Sequence, residues 1–187
     1  MRTHALTGHA LDLILGMMYH PNRLACQVAL VTGLRISDVL SLRTSDLKKK
    51  SFTITEQKTS KKKVVRLPKS LREELTKIAG STFVFEHRTD PKKTRRRQTV
   101  SKDIKRVVLL LESMGYIPKI TRKGQFKAVS INTHSMRKSF VLQALDSGVS
   151  FERIQAMLNH DDMLTTLIYG LSDLVDIRTS RRYRPLS

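Results

Sequence analysis

Arg35 lies in Thr32-Gly33-Leu34-Arg35-Ile36-Ser37-Asp38, after a glycine between two apolar helical stretches. A guanidinium there could project from a helix start, where its planar fork suits two phosphate oxygens. The same spacing suits an Arg35–Asp38 pair on a helix surface. His134 and Arg137 are three apart at the start of one predicted helix, so they share a face. A helix N-terminus favours anions, and an Arg and a His beside it make a phosphate site. In a chain rich in cations, the two could equally be an exposed pair. His160 follows Leu158-Asn159 at a break between helices, and Tyr169 stands nine residues later. A tyrosine hydroxyl can attack a phosphate to which a histidine donates, and a core aromatic is the alternative. Lys58 falls on a predicted hairpin. It could neutralise a phosphate or protonate a leaving oxygen, or simply grip backbone phosphates together with Lys61, Lys62 and Lys63.

Other chemistries find little support. No GxGxxG or GxxxxGKS stretch occurs, and no Gly-x-Ser-x-Gly elbow. His160-Asp161-Asp162 could start a metal site, as could His4 and His9, but neither has further ligands at usable spacing. No metal is expected.

The elements that must position these residues are mostly helical. Thr7 can cap a helix carrying Leu11, Leu13, Ile14, Met17 and Met18, which stops near His20-Pro21-Asn22. Leu24, Ala25, Val28, Ala29 and Val31 make a second, interrupted by Gly33. Ile36, Val39 and Leu40 start a third. Ser51 to Thr55 alternates with period two, and Val64 to Leu67 is a second short strand, so the basic stretch between them is a hairpin tip. Ser70 opens a helix through Ile78, ended by Gly80. Phe83 to Phe85 is a short extended piece, and Asp90 to Gln98 an exposed loop. Val100 to Met114 is a helix stopped by Gly115, and Pro118 to Lys127 is basic and irregular. Thr133 caps a helix to about Ser147, and Ser150 caps another through Leu158. A last helical stretch runs from Leu164 to Tyr169, before a basic tail from Arg178 to Arg184. The expected class is α+β, mainly α-helical, with one small antiparallel sheet.

Composition narrows the partner. In 187 residues, Lys and Arg total 35 against 16 for Asp and Glu, a formal charge of +19. A field this positive calls for a polyanion, nucleic acid first. One cysteine, Cys26, excludes a disulfide framework within the chain and a Cys-rich zinc module. No apolar run reaches the ~18 residues that span a bilayer. The expected location is cytoplasmic.

In combination and in this order, the motifs resemble one family. Gly33-Leu34-Arg35-Ile36-Ser37-Asp38, Lys58-Thr59, Thr133-His134-Ser135-Met136-Arg137, Leu158-Asn159-His160 and Tyr169 resemble the catalytic domain of the tyrosine recombinases, or phage integrases. The resemblance runs from about Leu6 to Tyr169. Met136, Lys138 and Asn159 stand where relatives usually carry Leu, His and Gly. It implies a catalytic domain over 1–187, its tail, about 171–187, docking on a neighbouring subunit; relatives usually carry a separate N-terminal DNA-clamping domain, and none is expected here because the catalytic domain begins almost at Met1. It implies a site-specific recombinase acting on double-stranded DNA through a 3′-phosphotyrosyl bond, assembled as a tetramer on DNA, with no membrane. In that reading Tyr169 is the nucleophile. Arg35, Arg137 and His160 hold the phosphate, Lys58 is the general acid, and His134 assists the tyrosine's proton. Asp38 orients an arginine. Two arginines can replace metal charge, so no cofactor is required. Lys61, Lys62, Lys63, Lys92, Lys93, Arg95, Arg96, Arg97, Arg122 and Lys123 are the candidate DNA-binding cations. The alternatives are a non-catalytic helical DNA-binding regulator and a nicking-resealing enzyme like the type IB topoisomerases.

Overall fold

A computed structural model of the chain describes residues 5, 6, 8–116, 120–122, 125–127 and 130–159. Helix α1 (Gly8–Met17) leads into α2 (His20–Thr32), whose first turn holds Pro21, where a missing N–H costs nothing. Gly33 ends α2 in the left-handed conformation, φ 67°, and its N–H donates to Ala29 O at 2.8 Å. A Cβ at Gly33 would stand 2.7 Å from the Phe140 ring and 2.9 Å from Leu158, so two helices close onto this glycine. Short α3 (Ile36–Leu40) follows, then a 3₁₀ turn at Thr44–Lys48.

Strands β1 (Ser51–Thr55) and β2 (Lys62–Arg66) pair antiparallel, Ser51 opposite Arg66 and Thr55 opposite Lys62. This is the expected hairpin, and its tip, residues 56–61, carries Lys58. Helix α4 (Lys69–Ile78) comes next. The stretch from Asp90 to Gln98 is not one loop. Strand β3 (Glu86–His87) pairs with β4 (Asp90–Thr94), and α5 (Arg97–Ser113) begins directly after. Nor is the segment before Lys127 irregular throughout, since β5 (Ile120–Arg122) pairs with β6 (Gln125–Lys127). Among the described residues, three two-stranded sheets therefore replace the one expected. The fold class stands: helices dominate, and the sheets are small and antiparallel. The Thr7 cap, the 164–169 helix and the tail lie outside the described residues.

Helix α6 (Thr133–Asp146) is the central element and packs against α2. Thr133 and the whole run from Ser135 to Leu142 are buried, polar members included. Two turns of helix buried on every face show no clean apolar stripe, as here over 135–142. Its cap is Asn132, one residue before the expected Thr133. Asn132 Oδ1 accepts from the His134 N–H at 2.8 Å, and Ser135 Oγ accepts from the Asn132 N–H at 3.2 Å. The main core gathers Ile14, Leu24, Val28, Leu75, Ile104 and Leu111 from the other helices, with Met136 from α6. A smaller cluster joins Phe140 and Val141 to Ile154 and Leu158 of α7 (Phe151–Leu158). Cys26 is fully buried on α2, and burial, then the nearby Asp103 charge, pushes its thiol up to about 12. Among the described residues no helix is long and apolar enough to cross a membrane.

Candidate active site

Three connections meet at one cleft: the α2–α3 turn, the β1–β2 hairpin tip and the start of α6. Arg35 stands in extended backbone at the N-cap of α3, just after the Gly33 turn, with Leu34 buried behind it. Lys58 is exposed on the hairpin tip. His134 and Arg137 come from the first turns of α6. With Arg97 from the first turn of α5, these residues line a cavity of about 370 Å³, whose lining Ile36, Ser37, Gln57 and Thr133 complete. Four of the six expected catalytic residues therefore share one cavity. His160 and Tyr169 lie outside the described residues.

Arg137 is 7% exposed, and its guanidinium spans two chain segments. Nη1 donates to Gly33 O and Nη2 to Leu158 O, both at 2.7 Å. The C-terminal carbonyls of α2 and α7 thus hold the arginine. Both acceptors sit where helix-end carbonyls lack helical partners and where negative partial charge collects. Arg35 is held otherwise. Its Nη1 lies 3.1 Å from Oε2 of Glu56, which is fully buried. Partial burial, then the charges of Arg137, Arg97, Arg35 and Lys58, hold the His134 imidazole below the ordinary histidine value. The ring is therefore neutral at pH 7 and able to accept a proton.

Asp38 is buried, but it bonds to neither arginine. Its Oδ1 accepts the Gln57 N–H at 2.9 Å, next to Lys58, and its Oδ2 has no hydrogen-bond partner. Burial raises its pKa, and the Glu56 charge adds to that. The carboxylate that touches an arginine is Glu56, which motif reading missed. A signal was present: Glu56 is the only acidic residue between Asp46 and Glu73, in a stretch crowded with lysines.

The candidate DNA cations divide. Lys62, Lys92, Lys93, Arg96 and Arg97 are exposed, Lys93 beside Asp90 at 2.8 Å. Lys61 is half-buried. Lys63 is a correction, since it faces inward. Its Nζ donates to Thr32 O at 2.7 Å, and burial, then the Arg137 charge, pushes its pKa down to about 8. Alternation along β2 sends neighbouring side chains to opposite faces, so Lys62 is solvated where Lys63 is not. Arg95 is a second correction. It is half-buried, its Nη1 lies 3.4 Å from Asn22 Oδ1, and burial lowers its pKa. Asn22 in turn donates to Asp103 at 2.8 Å, so Arg95 joins a network that ties α2 to α5. Arg122 lies on β5, and Lys123 lies outside the described residues.

The model of the phage integrase family matches residues 5–173, a span that takes in every motif residue above. The chain belongs to the phage integrase family. Among curated relatives, the tyrosine recombinase XerA of Thermococcus kodakarensis is 30% identical over 144 residues, covering 73% of this chain and 46% of the relative. The tyrosine recombinase XerD of Oceanobacillus iheyensis is 26% identical over 160 residues, covering 79% and 49%. The chain thus spans about half the length of these relatives. Solved structures share the integrase fold at lower identity. A lambda integrase dimer bound to a COC′ core site superposes with a TM-score of 0.69 at 20% identity, covering all of this chain and 51% of that one. A post-cleavage complex of the XerH recombinase on a palindromic difH substrate gives 0.64 at 19%, covering 96% and 53%.

Proposed function

We propose that the chain is the catalytic domain of a site-specific DNA recombinase, spanning residues 1–187, that cuts and rejoins strands through a 3′-phosphotyrosyl intermediate. One observation carries this reading: Arg35, Lys58, His134 and Arg137 line a single cleft in a member of the phage integrase family. The Tyr169 oxygen attacks the phosphorus in line, a P–O bond to tyrosine forms, and the bond to the 5′-oxygen breaks. Arg35 and Arg137 neutralise the charge that grows on the non-bridging oxygens, and His160 adds a hydrogen bond. Neutral His134 takes the tyrosine's proton, and Lys58 gives one to the departing 5′-oxygen. Two guanidinium groups supply the charge that such a step needs, so the scheme calls for no metal and no ATP. Double-stranded DNA is the substrate, self-association on DNA the working state, and the cytoplasm the location. The tail, about 171–187, is the segment that docks on a neighbouring subunit. Kinship with the tyrosine recombinases XerA and XerD supports this reading.

Covalent trapping tests it. Wild type and Tyr169→Phe are incubated with a pool of nicked duplexes that lose the 5′-fragment on cleavage, then run on denaturing gels. The expected result is a protein–DNA adduct at the 3′-phosphate with wild type alone. Tight, salt-sensitive binding without any adduct would favour a DNA-binding regulator. Relaxation of supercoiled DNA without recombinant product would favour a nicking-resealing enzyme.

A further inference from the structure

The steps proposed above make no use of Glu56, yet its carboxylate is wholly buried behind the cleft. Its Oε2 accepts two hydrogen bonds at once, from Arg35 Nη1 at 3.1 Å and from Thr59 Oγ1 at 2.7 Å. Its main chain closes the hairpin tip as well. The Glu56 N–H donates to Lys61 O at 2.9 Å, and Glu56 O accepts from the Ser60 N–H at 2.8 Å. Ser60 adopts φ 56°, a left-handed conformation that a serine takes only when its surroundings impose it. Glu56 is therefore bonded to Arg35 on one side and, on the other, to Thr59, Ser60 and Lys61, the three residues that follow Lys58. Oε1 of Glu56 is buried with no hydrogen-bond partner, so the two bonds to Oε2 are what offset the desolvation of this carboxylate. One arginine N–H group is committed to Glu56, and a guanidinium has five, so donors remain for a phosphate.

We propose that Glu56 is a positioning residue for strand cleavage. It holds Arg35 and the Lys58 loop in one register, so that the phosphate clamp and the leaving-group acid address the same phosphodiester. The inference rests on the proposed recombinase reading. It also gives Asp38 a companion task, since Asp38 holds the Gln57 N–H on the same loop.

The test uses the full chain and a nicked duplex recovered by trapping, prepared with either oxygen or sulfur at the bridging 5′ position. A thiolate leaves without a proton, so the sulfur duplex bypasses Lys58. Glu56→Gln keeps the side-chain shape and removes the charge. It is expected to slow single-turnover cleavage of the oxygen duplex by up to about a hundredfold, the scale of an ångström-sized misplacement, with DNA affinity unchanged. Sulfur should restore the part owed to Lys58 and leave the part owed to Arg35. Thr59→Val removes only the loop contact, so its smaller loss should vanish with sulfur. Wild-type rates for Glu56→Gln on both duplexes would overturn the proposal. So would a parallel loss of cleavage, affinity and melting temperature, which marks a purely structural group. Should Glu56→Gln fail to fold, Thr59→Val decides, and an undiminished rate on the oxygen duplex overturns the coupling. No Tyr169-dependent adduct from wild type would overturn the recombinase reading itself and this inference with it.

Discussion

His134 shows how a residue's neighbours choose its protonation state. It has partial burial and four cations around it, all disfavouring imidazolium. The folded pKa thus lies below the ordinary 6.5, and the proton-accepting form persists into mildly acidic solution. Cleavage rate should stay level as the pH is lowered through 6.5 and fall only beneath it, and His134→Gln should remove that acid limb while lowering the plateau. The sign for stability is the same. The unfolded chain takes up the proton first as pH drops through 6.5, so stability falls across that window and His134→Gln flattens the fall in urea denaturation. A limb centred at or above 6.5 would contradict the environment described. Sequence alone revealed His134 and Arg137 as neighbours on one helical turn. It could not reveal that Arg137 ties two helix ends, because its acceptors are backbone carbonyls 104 and 21 residues away.

At the scale of elements, the turn at Gly33 joins what α2, α6 and α7 each contribute. An alanine there must hold a left-handed φ, a cost of about 1–2 kcal/mol. Its Cβ also meets the Phe140 ring, and overpacking adds about 1–3 kcal/mol. Gly33→Ala should therefore lose roughly 2–5 kcal/mol in chemical denaturation, the sum of those two costs. A second change, Phe140→Leu, should recover some of the packing part and leave the backbone part, since Leu158 still crowds the new Cβ. Full recovery, or no loss at all, would contradict the geometry. This turn was legible because glycine after an apolar helix has few other readings. The α6 cap was legible only to within one residue: Asn132 and Thr133 are both good caps, and the extended backbone at Asn132 decides. Strands β3 to β6 were not legible. Strand β4 reads Asp90-Pro91-Lys92-Lys93-Thr94, poor in strand formers, and it borders tertiary contacts such as the Arg95 N–H to Phe85 O bond at 2.7 Å. Its partner β3 is the neighbouring Glu86–His87, so the strand was hidden by its composition and not by distance along the chain.

Across the whole molecule, an excess of 19 positive charges predicts a polyanionic partner but not which cations meet it. Direction decides, and Lys62 and Lys63 are the sharpest case. If Lys62 meets a DNA phosphate, Lys62→Ala should reduce the slope of log affinity against log salt by about 0.9, the value for one contact. Lys63→Met should leave that slope unchanged, because its ammonium is already given to Thr32 O. Equal changes for the two would mean that the hairpin turns over on DNA. The buried side of the molecule has a consequence for the bench. Cys26 is the only cysteine, fully enclosed, and its thiol stays protonated far above neutral pH. Thiol-directed reagents act on the thiolate and need access, so maleimides will pass the native chain by. A cysteine installed at exposed Lys92 becomes the single reactive handle. A dye attached there, read against a second dye on the duplex, reports the distance between protein and DNA with every native residue but one in place.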